Sequence, residues 1–307
     1  MNEVRELSDR ITILRDGVVI VDGVPMSEKT DEEIVSDMLG EKLNAEEKKR
    51  KDSNAFESSA EVLSISFDGY DGELTVKEGE IVGLAGLAGS GRSSVLRTIW
   101  GTKPRSDIHL RYLGEEYKPK NPMHALKKKI AYISEDRSES GLFFGQPIKE
   151  TVLMAHRNLQ RKLLVKNKSE DKLLGQIIGE VQIKVPTHEC MPEALSGGNQ
   201  QKLLFGRWIT DEAKLLLLDE PTRGVDIKTK HEIYQRVRKM VEANNAGALV
   251  VSSELEELVL MCDKVLIIRD GHVEDVLTGD RITENNMMAE ITASGKTKQQ
   301  TEDNKSV

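Results

Sequence analysis

Long apolar runs are missing from this chain of 307 residues, and with them any stretch of the about 18–20 residues that a membrane-spanning helix needs. The N-terminus, Met1-Asn2-Glu3-Val4-Arg5, carries charge where a signal peptide would need an apolar centre. Cysteine is scarce: Cys190 and Cys262 alone exclude a disulfide framework and favour a reducing cytosol. Basic charge is also in deficit, with 44 Lys and Arg against 52 Asp and Glu and a net charge of −8. That balance argues against non-specific binding to nucleic acid, whose phosphates attract basic surfaces. A local basic run, Lys48-Lys49-Arg50-Lys51, is flanked by acids and reads as a solvated linker. What remains, 38% hydrophobic and 31% charged, suits a globular protein with a sizeable core in one large or two modest domains.

The chain repeats part of itself. Ile11-Thr12-Ile13-Leu14-Arg15-Asp16-Gly17-Val18-Val19-Ile20 reads as strand, Asp-Gly turn, strand, with a helix expected near Asp31–Leu39. Asp9, Ile13, Arg15, Asp16 and Gly17 recur as Asp263, Ile267, Arg269, Asp270 and Gly271, each 254 positions on, and Glu3 extends the match to Glu257. A separation of this size is that of a whole domain, not of a solenoid unit. Residues 1–45 are therefore expected to be the end of a first domain, residues 46–60 a polar linker, and 294–307 a disordered tail.

Between linker and tail, strand and helix alternate. Strands are expected at Glu61–Phe67, Glu73–Lys77, Ile81–Ala85, Lys129–Ser134, Lys214–Leu218, Ala248–Ser252 and Val265–Ile268. Helices are expected at Arg92–Trp100, Lys149–Leu159, Asp171–Val181, Gly198–Trp208, Lys228–Glu242 and Leu255–Met261. Short apolar strands separated by amphipathic helices imply an α/β fold with a mainly parallel sheet covered on both faces. The helix-rich stretch, about 138–198, interrupts the alternation and reads as a helical subdomain.

Three stretches carry chemistry. Gly86-Leu87-Ala88-Gly89-Ser90-Gly91-Arg92-Ser93 is one residue away from the phosphate loop G-x-x-x-x-G-K-[ST], between a strand and a helix. Its glycines let backbone N–H groups close on phosphate oxygens at a helix N-terminus, and Ser93 or Ser94 would offer a hydroxyl to Mg²⁺. Arg92 stands where lysine is the rule; it keeps the charge but is bulkier and planar, so the loop either binds nucleotide or binds it weakly. Asp219 and Glu220 end the apolar run Leu215-Leu216-Leu217-Leu218, as an Mg²⁺-side carboxylate and a general base, or as acids capping a strand at water. Ser196-Gly197-Gly198, opening a helix, is an anion site by the same dipole logic.

Together these motifs resemble the nucleotide-binding domain of ABC-type ATPases over residues 61–293. The resemblance implies a P-loop NTPase fold with ATP and Mg²⁺ as cofactors. It implies that Gly86, Gly89, Ser90, Gly91, Arg92, Ser93 and Ser94 line the nucleotide, that Ser93 and Asp219 hold the metal, and that Glu220 orients the attacking water. It also implies that Ser196, Gly197 and Gly198 close on a nucleotide held by a facing domain, and that Gly224-Val225-Asp226 speaks to that partner. Glu135 stands where most such domains carry glutamine, and Glu254 where a histidine usually contacts the γ-phosphate; a carboxylate there repels phosphate. Phe67 and Tyr70 lie where an aromatic usually stacks on adenine, or are core and turn residues.

Arg92, Glu135 and Glu254 each weaken the case for hydrolysis by this half, which is expected to be degenerate and to turn ATP over poorly in isolation. These departures also narrow the resemblance. Glu135-Asp136-Arg137 followed by Gly141-Leu142, Leu195-Ser196-Gly197-Gly198-Asn199-Gln200-Gln201-Lys202, Asp219-Glu220-Pro221-Thr222-Arg223-Gly224-Val225-Asp226 and Ser252-Ser253-Glu254-Leu255 resemble the second half of the tandem ATP-binding subunits of bacterial simple-sugar importers (ribose, galactose, xylose). That implies a transmembrane permease and a facing ABC domain as partners, a periplasmic or extracellular sugar-binding protein as an indirect one, no nucleic acid, and a place on the inner face of the membrane. The alternatives are a soluble ABC ATPase acting on nucleic acid or the ribosome, and a non-hydrolysing regulatory half-domain.

Overall fold

The computed structural model describes residues 2–15, 17–39, 53–68, 70–160, 167–209 and 213–293. The expected tail, the basic run and residues 46–52 of the linker lie outside these residues. The first unit runs α1 (Asn2–Leu7), β1 (Arg10–Arg15), β2 (Val18–Pro25) and α2 (Asp31–Leu39), with β1 and β2 antiparallel. Ile13, Met26 and Ile34 form its small core.

The cassette that follows runs β3 (Glu61–Phe67), β4 (Tyr70–Lys77), β5 (Ile81–Ala85), α3 (Arg92–Trp100), β6 (Ile108–Tyr112), β7 (Glu115–Glu116), α4 (Pro122–Lys127) and β8 (Ile130–Ile133). It continues through α5 (Ile148–Gln160), α6 (Asn167–Val181), α7 (Gly197–Ile209), β9 (Leu215–Asp219), α8 (Ile227–Ala243), β10 (Gly247–Val251), α9 (Leu255–Met261), β11 (Lys264–Arg269), β12 (His272–Thr278) and α10 (Glu284–Thr292).

Two sheets form, where the alternation suggested one. The larger has the order β12-β11-β5-β10-β9-β8, parallel throughout except for β12. The second, β4-β3-β6-β7, is wholly antiparallel. β3 and β4 thus leave the parallel sheet to which their sequence assigned them. The reason is geometric: a two-residue connection at 68–69 closes only an antiparallel hairpin, whereas parallel neighbours need a long crossover.

The strands β5, β9 and β10 are buried along their whole length, as a sheet covered on both faces demands. Leu215 and Leu217 point to the layer shared with α3 and the antiparallel sheet, while Leu216 and Leu218 face the α5–α10 layer. Alternation within one strand therefore builds two cores. The helices α5 and α6 both pack on α7, which continues the helical stretch expected at 138–198. A salt bridge fastens α8 to the foot of the sheet: Arg238 holds Asp263 with both terminal nitrogens (2.8 and 3.0 Å), and Asp263 accepts from the Ile81 N–H at 2.8 Å.

The repeat in sequence is a repeat in structure. β1 and β11 begin and end 254 residues apart, and β2, α1 and α2 correspond to β12, α9 and α10. Arg15 donates to the Asp37 carbonyl at 3.1 Å, and its counterpart Arg269 donates to the Glu290 carbonyl at 3.3 Å. Burial separates the copies: Leu14 is 61% exposed where Ile268 is 1%, and Leu7 is 86% exposed where Met261 is 3%. The second copy has β5 beside it; the first has no such strand among the described residues.

Candidate functional site

The site is built where the parallel strands end. After β5, the loop turns at Gly89 (φ 82°) and Gly91 (φ 96°), left-handed values that favour glycine. Gly91 has a second reason: a Cβ there would lie 2.8 Å from the Cα of Gly271. The turn of the β11–β12 hairpin presses against the loop, and Gly271 N–H donates to the Ser90 carbonyl at 2.7 Å. Ser90 Oγ is buried and has no hydrogen-bond partner among the described residues, an orphan that a phosphate oxygen would satisfy.

Helix α3 then opens with Arg92 and Ser93. Ser93 Oγ donates to Asp219 Oδ1 at 2.7 Å, joining residues 126 apart in sequence. Tyr132, from β8, donates its hydroxyl to Asp219 Oδ2 at 3.0 Å, and Arg97 Nη2 stands 3.8 Å from the same oxygen. Burial raises the pKa of Asp219, while the Ser93 and Tyr132 hydroxyls and Arg97 oppose that shift. Burial and the nearby carboxylate push the Tyr132 phenol well above its usual range, so it stays a donor.

Ser94 is not part of this pair. Its hydroxyl accepts from Lys103 Nζ at 3.1 Å. Arg92 donates to the Ser252 carbonyl at 2.7 Å, half-buried beside Glu220, Asp219 and Glu135; burial lowers its pKa and the three acids oppose that. Glu220, at the tip of β9, has φ 51°, a left-handed value uncommon for a residue with a side chain. Its N–H donates to the Val251 carbonyl at 2.9 Å, and its carboxylate accepts from Ser253 Oγ at 3.1 Å. Strain of this kind clusters at functional sites.

The two unusual acids are both partnered. Glu135 forms an ion pair with Arg223, and Glu254 with Lys230 of α8. Behind them, Glu257 is buried and accepts from Thr222 Oγ1 at 2.8 Å and Ser252 Oγ at 2.5 Å. Burial, resisted by those two hydroxyls, pushes its carboxyl up to about 7.

Ser196, Gly197 and Gly198 sit elsewhere, at the start of α7. The Gly197 carbonyl accepts from Arg137 at 2.9 Å, and a Cβ on Gly198 would lie 2.8 Å from Thr229 Oγ1 at the start of α8. Ser196 Oγ accepts from Asn199 Nδ2 at 3.1 Å. These anchors differ from those of the phosphate loop, so the turn is held as a separate surface. Phe67 is 3% exposed and packs edge-on against His272, which makes it a core residue with no face free to stack. The side chain of Tyr70 lies outside the described residues.

Sequence reasoning missed Tyr132, Arg97 and Lys230. None belongs to a local pattern; each reaches the site from a different element. A buried carboxylate among hydroxyls and a cation fits Mg²⁺, which takes one or two protein oxygens and completes its shell with water and phosphate. When bound there, the ion would neutralise charge on the phosphates. No cluster of three or more His, Cys, Asp or Glu suited to a metal occurs among the described residues.

The model of the family described as ABC transporter matches residues 71–223. The chain belongs to the ABC transporter family. Its fold agrees with a nucleotide-free ATP-binding cassette from an ABC transporter (TM-score 0.62, 17% identity, 74% of this chain and 95% of that one). A dimeric post-hydrolysis cassette bound to ADP and Pi is also similar (TM-score 0.59, 19% identity, 70% and 98% covered).

Among curated proteins, a ribose import ATP-binding protein of Bacillus subtilis is 34% identical over 292 residues, 94% of this chain and 58% of the relative. A galactose/methyl galactoside import ATP-binding protein of Fusobacterium nucleatum is 33% identical over 294 residues, with the same coverage. The chain thus spans less than two thirds of the length of these relatives. No helix among the described residues is long and apolar enough to cross a membrane.

Proposed function

We propose that this chain is the ATP-binding, energy-coupling part of an importer for simple sugars, held at the inner face of the membrane by a permease. Gly86 to Ser94 cradle the triphosphate, with Arg92 supplying its charge. Ser93 and Asp219 carry Mg²⁺, and Glu220 is the base that orients the attacking water. Ser196, Gly197 and Gly198 close on the nucleotide of a facing ABC domain. The permease docks in the cleft of about 460 Å³ that Trp100, Tyr132, Glu135 and Trp208 line. Residues 1–45 are the end of a first domain of this kind, since their hairpin and helices repeat those that close the cassette.

One observation carries the reading: the 2.7 Å bond from Ser93 to Asp219, beside a strained Glu220. It joins a glycine loop, a metal-side carboxylate and a base at one end of a parallel sheet. The ribose and galactose relatives support the sugar. A non-hydrolysing half is the second reading, favoured by Glu254, whose carboxylate replaces a phosphate donor and is neutralised by Lys230.

The test is MgATP binding and turnover by the purified chain beside Glu220→Gln and Arg92→Lys. Binding with turnover that Glu220→Gln abolishes makes this half a working ATPase. Binding with no turnover selects the second reading. No binding overturns both.

A further inference from the structure

The cleft and the metal-side carboxylate share a residue. Tyr132 reaches Asp219 Oδ2 with its hydroxyl (3.0 Å), while its ring stacks on Trp100 with centroids 5.6 Å apart and planes at 22°. Trp100 in turn meets Trp208 edge to face at 6.1 Å. All three rings line the cleft, and so does Arg97, which stands by the same carboxylate oxygen. Trp208 is 4% exposed, and its indole N–H has no hydrogen-bond partner among the described residues.

We propose that Tyr132 is a positioning residue for Asp219, through which the state of the aromatic cleft is felt at the metal side of the nucleotide site. This rests on the reading of Asp219 as a metal-side carboxylate. The carboxylate is fully buried and can turn only about its own bonds. With Ser93 on one oxygen and Tyr132 on the other, its plane is fixed before any cation arrives.

When Ser93 turns toward a cation, Tyr132 becomes the hydroxyl that still orients the carboxylate. A shift of the Asp219 oxygens is then passed to a stacked ring pair, because aromatic cores repack between discrete arrangements rather than deform smoothly. Coupling between two sites is reciprocal: what binds in the cleft must change cation affinity by the factor with which the cation changes the cleft. Arg97 adds an electrostatic arm, since any displacement from Asp219 Oδ2 removes a cation from the neighbourhood of the incoming metal.

The chain carries only two tryptophans, Trp100 and Trp208, so its intrinsic fluorescence reports the cleft. Mg²⁺ is titrated into the chain saturated with ATP in EDTA, for the wild type and Tyr132→Phe, with nucleotide binding followed in parallel. A Mg²⁺-dependent emission step is expected in the wild type. In Tyr132→Phe its amplitude falls at least threefold and its Mg²⁺ midpoint rises at least threefold, while ATP affinity in EDTA stays within twofold.

An unchanged amplitude and midpoint in Tyr132→Phe would overturn the proposal. So would a wild type that binds MgATP with no emission step. Two further variants carry the test if Tyr132→Phe folds poorly: Trp208→Phe should keep the step, and Trp100→Phe should remove it, because Trp100 is the ring in contact with Tyr132. The reverse assignment overturns the path. Failure of the wild type to bind MgATP at all is a separate result that removes the nucleotide reading, and the proposal with it.

Discussion

Arg92 donates from Nη1 to the main-chain oxygen of Ser252 at 2.7 Å, so the residue that departs from the phosphate-loop pattern ties its loop to the tip of β10. A guanidinium has five N–H donors in a planar fork, and one of them is spent on this anchor. The remainder lies beside Asp219, Glu220 and Glu135. Arginine here is a strut, and in the proposed reading it is also the cation that makes three clustered acids compatible with a polyphosphate.

Arg92→Ala should therefore weaken MgATP binding by tenfold or more, about 1.4 kcal/mol, because the hollow loses its cation and keeps its acids. Arg92→Lys retains the charge and should stay within about threefold of the wild type. Titration calorimetry with MgATP measures both.

The glycines of α6 and α7 make opposite predictions. Gly198→Ala places a methyl group 2.8 Å from Thr229 Oγ1, which already bonds Asp226 at 2.8 Å, so the start of α7 must shift off α8. Overpacking of this kind costs about 1–3 kcal/mol. Gly179→Ala, in α6, meets nothing within 4 Å and should stabilise by about 0.5–1 kcal/mol through the better helix propensity of alanine. Urea midpoints of the two variants should move in opposite directions.

What the chain declares locally, its text made legible. Glu61–Phe67, Ile81–Ala85, Arg92–Trp100 and Leu255–Met261 were expected with the bounds observed; Glu80 and Gly86 bracket the second of them, and Gly91 and Gly101 the third. The strand Ile108–Tyr112 went unread: its alternation of buried and exposed residues is short, and it lies in the antiparallel sheet that the α/β pattern hides. α10 escaped because only Met287 and Ile291 of its nine residues are buried. In the site, residues with a shared motif were found and those without one were not. Nothing in the spacing of Tyr132 or Lys230 says that folding brings them to Asp219 and Glu254: sheet order sets β8 beside β9 for the first, and the placement of α8 beside the start of α9 does it for the second.

Arg238→Ala should be among the more destabilising single changes. It removes the bidentate partner of Asp263, whose side chain is 2% exposed and also holds the Ile81 N–H. Breaking a buried pair by removing one member costs about 3 kcal/mol or more, because the remaining charge has no solvent to return to. Asp263→Asn, which keeps the Ile81 bond, should cost less. Denaturant unfolding of both variants ranks them.

Glu257 gives the cassette a pH dependence whose sign is fixed. Its carboxyl titrates near 7 in the folded chain and near the ordinary glutamate value, 4.5, when unfolded. Between those values the folded state holds the extra proton, so stability falls as pH rises from about 4.5 to 7 and the penalty is complete above 7. From pH 5.5 to 8 this one group should remove about 2 kcal/mol. Glu254 adds to the penalty and Lys230 offsets part of it, both acting on the same carboxylate. Glu257→Gln abolishes the titration and keeps a group that can bond Thr222 and Ser252, each of which holds a hydroxyl able to accept as well as donate. The variant should match the wild type at pH 5.5 and exceed it by about 2 kcal/mol at pH 8 in urea unfolding. A variant that loses as much stability as the wild type over that interval would show that Glu257 is ionised in both states, and that its two hydroxyl bonds outweigh its burial.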